Sequence, residues 1–213
     1  MDKNTFWVNE KKIDRTVKAL KRNNMNGFYV KDRQELFNKV EQLVKKDSVV
    51  GCGGSATLGQ IGVLEHLRSG RYKFLDREQE GITPERKKQI QRETFFADAF
   101  FTSVNALTEE GELFNVDGIG NRVAAMLFGP DKVIVVCGVN KIVKNLEEAI
   151  GRNKRRSAPA NARRLNCNTP CTTTGCCTDC SSKNRICNEY TFIRNQLDDS
   201  RIHVFIFNED LGY

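Results

Sequence analysis

The chain has 213 residues, 39% of them hydrophobic, enough for one sizeable domain whose core needs no disulfide staples. No run approaches the roughly 18 apolar residues of a membrane-spanning helix, and residues 1–15 are charged rather than signal-like, so the expectation is a cytoplasmic protein without a membrane span. The net charge of +7 is local: between Arg152 and Cys187 stand eight basic residues and one acid, Asp179, which leaves the rest of the chain neutral.

Helical spacing over residues 5–23 puts Phe6, Ile13, Val17 and Leu20 on one face, with Trp7 expected to pack. Asn26-Gly27 makes a turn, residues 27–30 a short strand, and residues 31–45 a helix with Leu36, Phe37, Val40, Leu43 and Val44 on one side. A buried strand over 48–51 runs into Gly51-Cys52-Gly53-Gly54-Ser55, followed by a helix over 56–68. A strand over 72–75 precedes a helix over 83–95, with Thr83 as cap and Pro84 at the first helical position. Residues 99–102 read as a strand, 105–120 as a hairpin or series of turns, and 121–128 as strand or helix. The clearest strand is the Val/Ile run 132–137, followed by a helix over 140–150. Alternating strands and helices predict an α/β fold with an open, mostly parallel sheet.

Residues 152–166 are basic, contain Pro159 and lack apolar periodicity, which predicts a loop. A helix over 185–198 and a buried strand over 203–208 then return the chain to the sheet. The expected organisation is an α/β domain over 1–151, a basic cysteine-rich insertion over 152–190, and a helix and strand over 191–213 that complete the domain.

Six of the eight cysteines fall between Cys167 and Cys187. Cys171, Cys177, Cys180 and Cys187 have the spacing C-x5-C-x2-C-x6-C, and Pro170 and Gly175 let the backbone wrap closely. Thiolates select zinc or iron–sulfur clusters. Structural zinc sites usually use two tight cysteine pairs, and only Cys177/Cys180 is one, so the spacing favours an iron–sulfur cluster, with zinc as the alternative. Six candidates compete for four places, with Cys167 and Cys176 as alternates; Cys52 and Cys137, in strand-like contexts, read as buried core residues. Arg163, Arg164, Lys183 and Arg185 would offset the charge of an anionic cluster. The same compensation argues against nucleic acid as the partner, because aromatic residues are not interleaved with the basic ones.

Three stretches, Gly53-Gly54-Ser55-Ala56-Thr57-Leu58, Ala106 to Leu113, and Asp117-Gly118-Ile119-Gly120-Asn121-Arg122-Val123, recur in this order in the lactate-utilization (LUD-domain) family. So does Phe128-Gly129-Pro130 leading to Gly138-Val139-Asn140-Lys141-Ile142-Val143. The chain resembles that family over about residues 10–210. The resemblance implies a fold related to the sugar-isomerase and CoA-transferase group, and a place in or beside lactate and 2-hydroxy acid oxidation. It also implies a subgroup with a C-terminal cysteine segment, expected to hold a [4Fe-4S] cluster, in which the Cys176 position is usually not cysteine. That favours Cys177 as a ligand. The family supplies no agreed catalytic residue.

The glycine loop, with Ser55 and with Thr57 just inside the following helix, reads as a site for a small organic anion, against the alternative of a tight turn with Ser55 as cap. It is not a Walker loop. The 105–122 segment offers Glu110, Asp117, Asn121 and Arg122 as catalytic candidates, with Arg122 able to clamp a carboxylate; the alternative is a solvated hairpin. His66 and His203 read as structural. No flavin or nicotinamide fingerprint is visible, so a cluster would be the sole redox centre, exchanging electrons with partner proteins. The competing function is a non-redox ligand-binding or transferase-like domain with a structural metal. The topology predicts that the cluster lies near the glycine-loop edge of the sheet, within reach of Ser55, Asn121 and Arg122.

Overall fold

The protein is described by a computed structural model covering residues 2–213. In chain order the elements are α1 (Lys3–Arg22), β1 (Asn26–Val30), α2 (Arg33–Leu43), β2 (Val49–Cys52), α3 (Ala56–Gln60), α4 (Val63–Leu67), β3 (Lys73–Leu75), α5 (Pro84–Glu93), β4 (Ala99–Thr102), β5 (Ala106–Thr108), β6 (Leu113–Asp117), α6 (Asn121–Leu127), β7 (Lys132–Gly138), β8 (Ile142–Val143), α7 (Leu146–Arg152), α8 (Ala158–Arg164), α9 (Cys171–Thr174), β9 (Glu189–Ile193) and β10 (Ile202–Phe207). Six strands form one wholly parallel sheet in the order β1-β10-β7-β4-β2-β3. This is the α/β architecture that the alternating pattern predicts.

The strand chemistry explains the sheet's burial. Along β7, Val133, Val135 and Cys137 enter one core with α1 residues Ile13 and Leu20, while Ile134 and Val136 enter the other with α2 residues Leu36 and Val40. The neighbouring β10 divides the same way, with Val204 and Ile206 on the first face and Phe205 and Phe207 on the second. A strand covered on both faces has no polar side, hence the unbroken Val/Ile run. Phe6 and Trp7 depart from expectation: Trp7 is 58% and Phe6 40% exposed, because α1 buries only the face that carries Ile13, Thr16 and Leu20.

A second, four-stranded sheet in the order β8-β5-β6-β9 was not foreseen. It begins as the expected hairpin: β5 and β6 pair antiparallel about a turn whose Gly111 has φ 79°. Its outer strand overturns the helix expected over 185–198. Glu189, Tyr190, Thr191, Phe192 and Ile193 instead pair antiparallel with β6. Tyr, Thr, Phe and Ile in alternation suit a pleated half-buried surface, and the open edge of β6 supplies the missing hydrogen bonds.

Three further expectations change. The loop expected over 152–166 is helical: α7 continues through a π-turn at Asn153–Ser157 into α8. Pro159 falls in the first turn of α8, where its missing N–H costs little, and the π-turn precedes it. The helix buries Arg152, Asn153, Ser157, Ala158 and Ala162, polar or small residues that leave no apolar periodicity to read. The helix expected over 56–68 breaks at Gly62, which has φ 79°. Residues 140–143 form a short turn and β8 before α7, so only the last part of the helix expected over 140–150 exists. Residues 121–128, left open between strand and helix, form α6. No helix among the described residues is long and apolar enough to cross a membrane.

Candidate functional site: a polar pocket beside a four-cysteine cavity

The carboxyl ends of β2, β4 and β7 open onto a pocket of about 320 Å³. Ser55 and Thr57 line it from the first connection, Ser103 and Asn105 from the β4–β5 connection, Asn121 and Arg122 from α6, and Lys141 from the turn after β7. The topology thus gathers the expected edge of the sheet into one cavity, and Gly54, Ser55, Thr57, Asp117, Asn121 and Arg122 all border it.

The glycine loop acts differently from expectation. The helix it feeds, α3, has five residues, and the Ser55 hydroxyl caps it by accepting from Leu58 N at 3.3 Å. Gly53 N donates to Phe101 O at 2.9 Å, so it is not free for a ligand. What the glycines permit is close approach of arginines. A Cβ on Gly54 would overlap the Arg77 guanidinium, and one on Gly53 would lie 3.3 Å from Arg122 Cδ. Positive side chains therefore stand on either side of the loop, Arg77 at Gly54 and Arg122 at Gly53.

Arg122 is locked in place. Asp117, 6% exposed at its side chain, accepts from Arg122 Nε at 2.8 Å and Nη2 at 2.6 Å. The other carboxylate oxygen caps α6 by accepting from Arg122 N and Val123 N, each at 3.1 Å. Arg122 also donates to Ser103 O at 3.0 Å, Asn105 Oδ1 at 2.8 Å and Val116 O at 3.2 Å. Asp117 is thus occupied as a positioning group and Arg122 as a structural one. The expected bidentate clamp on a ligand would require Arg122 to give up bonds it already makes. Glu110 stands apart, exposed in the β5–β6 turn, its carbonyl accepting from Asn23 Nδ2 at 2.8 Å.

The residue that sequence reasoning missed is Lys141. It is 4% exposed, and its Nζ lies 2.9 Å from Thr57 Oγ1, 2.9 Å from Ser103 Oγ and 3.1 Å from Val104 O. No ion pair to a carboxylate accompanies these bonds among the described residues. Burial lowers its pKa to about 7; Cys137 acts in the opposite direction, and Arg152, Arg122 and Arg156 lower it further. Arg77, whose buried Nε makes no hydrogen bond but lies 3.5 Å from the Glu78 carboxylate, also lines the pocket. The available signal was a lone lysine directly after a buried strand, where open α/β sheets carry their sites.

A second, smaller cavity lies alongside, lined by Cys171, Cys177, Cys180 and Cys187 together with Ala158, Ala162 and Arg185. Neither Cys167 nor Cys176 lines it, and Cys176 is exposed. The segment is held at several points. Cys177 N donates to Lys154 O at 3.1 Å, and Lys154 pairs with Asp179 at 2.8 Å. Arg185 donates to the carbonyls of Cys180 at 2.6 Å and Cys187 at 2.8 Å. Asn188 N donates to Asp117 O at 2.8 Å, which fastens the segment to the rim of the first pocket. Ile186 borders both cavities and lies against Gly118, where a Cβ would sit 3.3 Å from its Cα. Ser182 and Arg185 lower the Cys180 thiol pKa, whereas burial raises that of Cys177.

All eight cysteines are free thiols. Among the described residues, no three His, Cys, Asp or Glu side chains converge tightly enough to hold a single metal ion. Cys52 and Cys137 lie in the main cores, where burial raises their pKa to about 11 and about 12. His66 stacks on Phe37 at 4.2 Å between ring centroids, and His203 is buried on β10; burial lowers the pKa of both.

A parallel sheet with a polar pocket at its carboxyl edge defines an open α/β protein with a cavity where such folds carry their ligand sites. Residues 13–207 match the LUD domain, and the chain belongs to the LUD-domain family. A crystal structure of a DUF162 family protein from Deinococcus radiodurans superimposes with a TM-score of 0.54 at 15% identity, covering 93% of this chain and 98% of that one, a likeness of fold. The eIF2B delta structure from Chaetomium thermophilum reaches a TM-score of 0.35 at 17% identity over 56% of this chain and 50% of its own, too low to carry argument. Among curated proteins, none matches the chain.

Proposed function

We propose that the chain is an iron–sulfur LUD-domain protein that binds a small organic anion beside its cluster, as a redox component in or near lactate and 2-hydroxy acid metabolism. The observation that carries this reading is the pairing of the two cavities across Ile186, one lined by four cysteines and the other by Lys141, Arg77 and hydroxyl groups. The candidate ligands are Cys171, Cys177, Cys180 and Cys187, the subset that shares a cavity out of six clustered cysteines.

The donor set fits a cluster in its chemistry. Thiolates are soft ligands, Lys154 and Arg163 bond to the segment that carries them, and Arg185 fixes the carbonyls of two of the four cysteine residues. Their cavity is closed to about 10 Å³, and the thiols do not converge on one point, so loading requires the 171–187 segment to open. That segment is short of regular structure beyond α9 and largely exposed or half-buried, so it can do this without disturbing the core. When bound, a [4Fe-4S] cluster supplies one-electron exchange. Arg77 and Arg122 supply the positive charge that favours a carboxylate, Lys141, Ser55 and Asn121 its hydrogen-bonding groups, and Asp117 the fixed position of Arg122. The exposed face of the cysteine segment is the surface a redox partner protein would approach.

The test is metal content after anaerobic purification. Iron and acid-labile sulfide in equal amounts, with broad visible absorption, support the proposal; colourless protein with one tightly held zinc overturns it in favour of a structural metal site.

A further inference from the structure

We infer that Lys141 is an imine-forming lysine that takes the carbonyl group of a small 2-oxo acid bound in the pocket. The inference rests on reading the pocket as an anion site and names the ligand class that the site is built to take.

The geometry begins with the three partners of Lys141. An ammonium would donate to Thr57 Oγ1, Ser103 Oγ and Val104 O, at 2.9, 2.9 and 3.1 Å. A neutral amine is satisfied by the same atoms. It donates to Val104 O and Thr57 Oγ1, the Thr57 hydroxyl donates onward to Leu211 O at 3.3 Å, and the Ser103 hydroxyl turns to donate to the amine lone pair.

The groups facing Lys141 favour the neutral form. Arg122 on α6, Arg152 on α7 and Arg156 on the following π-turn all present positive charge, and the Cys137 thiol on β7 is protonated in its buried site. The nearest acid of the pocket, Asp117, is committed to Arg122. Desolvation beside other cations is the arrangement that makes a lysine nucleophilic near neutral pH. At pH 7 an ordinary lysine is uncharged in roughly one molecule in two thousand, whereas a group titrating near 7 is uncharged in about half.

The step balances within the pocket. The amine nitrogen bonds to the carbonyl carbon as the carbon–oxygen π bond opens onto oxygen. That oxygen collects two hydrogens, both originally on the amine, and departs as water, leaving a C=N bond that one further proton converts to the iminium. Ser103 Oγ, 2.9 Å from the nitrogen and 3.4 Å from Thr57 Oγ1, is placed to pass the proton to the departing oxygen. Arg77, whose guanidinium lies over Gly54 while its Nε stands 3.5 Å from the Glu78 carboxylate, lines the pocket and brings a cation to the side where the ligand's carboxylate would lie.

The experiment incubates the full chain with pyruvate and sodium cyanoborohydride, which reduces an imine to a stable amine, and locates the adduct by peptide mass mapping. The expected result is labelling of Lys141 at least about tenfold faster than of any other lysine, suppressed by propionate, which has the carboxylate without the ketone. The rate should climb as pH rises through 7. Lys141→Met should remove the adduct, and if that variant does not fold, the wild-type map still decides. Labelling spread over surface lysines overturns the inference, as does absence of label where calorimetry shows pyruvate bound; either leaves the anion site standing. Absence of pyruvate binding overturns both, while the cluster stands or falls on iron and sulfide alone.

Discussion

Replacing Asp117 by Ala should destabilise the protein by about 3–5 kcal/mol, because it strands a largely buried arginine. Asp117 is 6% and Arg122 16% exposed at their side chains, and the carboxylate accepts four hydrogen bonds, two from the guanidinium and two from the first backbone amides of α6. All four are charge-assisted, and two of them satisfy amides that have no helical partner. Against a typical total of about 5–15 kcal/mol, the loss is large. With a urea slope of about 2 kcal/mol/M it moves the unfolding midpoint down by roughly 1.5–2.5 M. Urea denaturation followed by circular dichroism measures this directly. A double-mutant cycle with Arg122→Met sharpens it: removing both partners should cost less than the sum of the single changes, since neither charge is then left alone. Asp117→Ala costing under about 1 kcal/mol, or additive single changes, would refute the account of Arg122 as a residue fixed by Asp117.

Gly111→Ala should cost more than about 2 kcal/mol in thermal melts, since φ is 79° and the new Cβ would sit 2.5 Å from Leu20 N in the backbone of α1. Lys141 should give the wild type a pH-dependent stability. Its folded-state pKa of about 7 lies below the unfolded value near 10.4, so the unfolded chain binds the extra proton and stability rises as pH increases from 7. Lys141's share of the slope, read as the difference between wild type and Lys141→Met, approaches about 1.4 kcal/mol per pH unit by pH 8.5, while the buried Cys52 and Cys137 thiols pull stability down over the same range in both proteins. Binding to duplex DNA should be weak and lost at moderate salt, because Lys154 and Arg185 are already engaged with the cysteine segment; sequence-specific binding at physiological salt would reverse this.

The parallel sheet was legible because its chemistry is written in single strands: the Val/Ile run of β7 and the apolar run of β10 are buried on both faces and have no other reading. Glycine loop, hairpin and cysteine spacing were legible for the same local reason. What was hidden depends on partners distant in sequence. Strand β9 exists because β6 offers an edge, and residues 189–193 alone show only a brief alternation next to basic and polar neighbours. The helix through 152–164 buries alanines, a serine, an asparagine and Arg152, which donates to Asn140 O, Asn105 O and Ser157 Oγ, so no apolar stripe announces it. In the pocket, the segments singled out in the sequence meet, but the bonds their side chains make depend on partners distant in the chain. Arg122 reads as a free clamp until Asp117, Ser103 and Asn105 are seen around it, and Lys141 reads as an ordinary charge until its burial is known.

On the proposed reading a four-cysteine cluster adjoins an anion pocket, and electron paramagnetic resonance of the dithionite-reduced protein, recorded with and without saturating pyruvate, reads both at once. The expected cluster signal is lost on changing Cys171, Cys177, Cys180 or Cys187 to Ser and kept on changing Cys176, and its g-values shift when the ligand binds next to Ile186. A signal that survives loss of those cysteines, or one indifferent to a ligand shown by calorimetry to be bound, would contradict it.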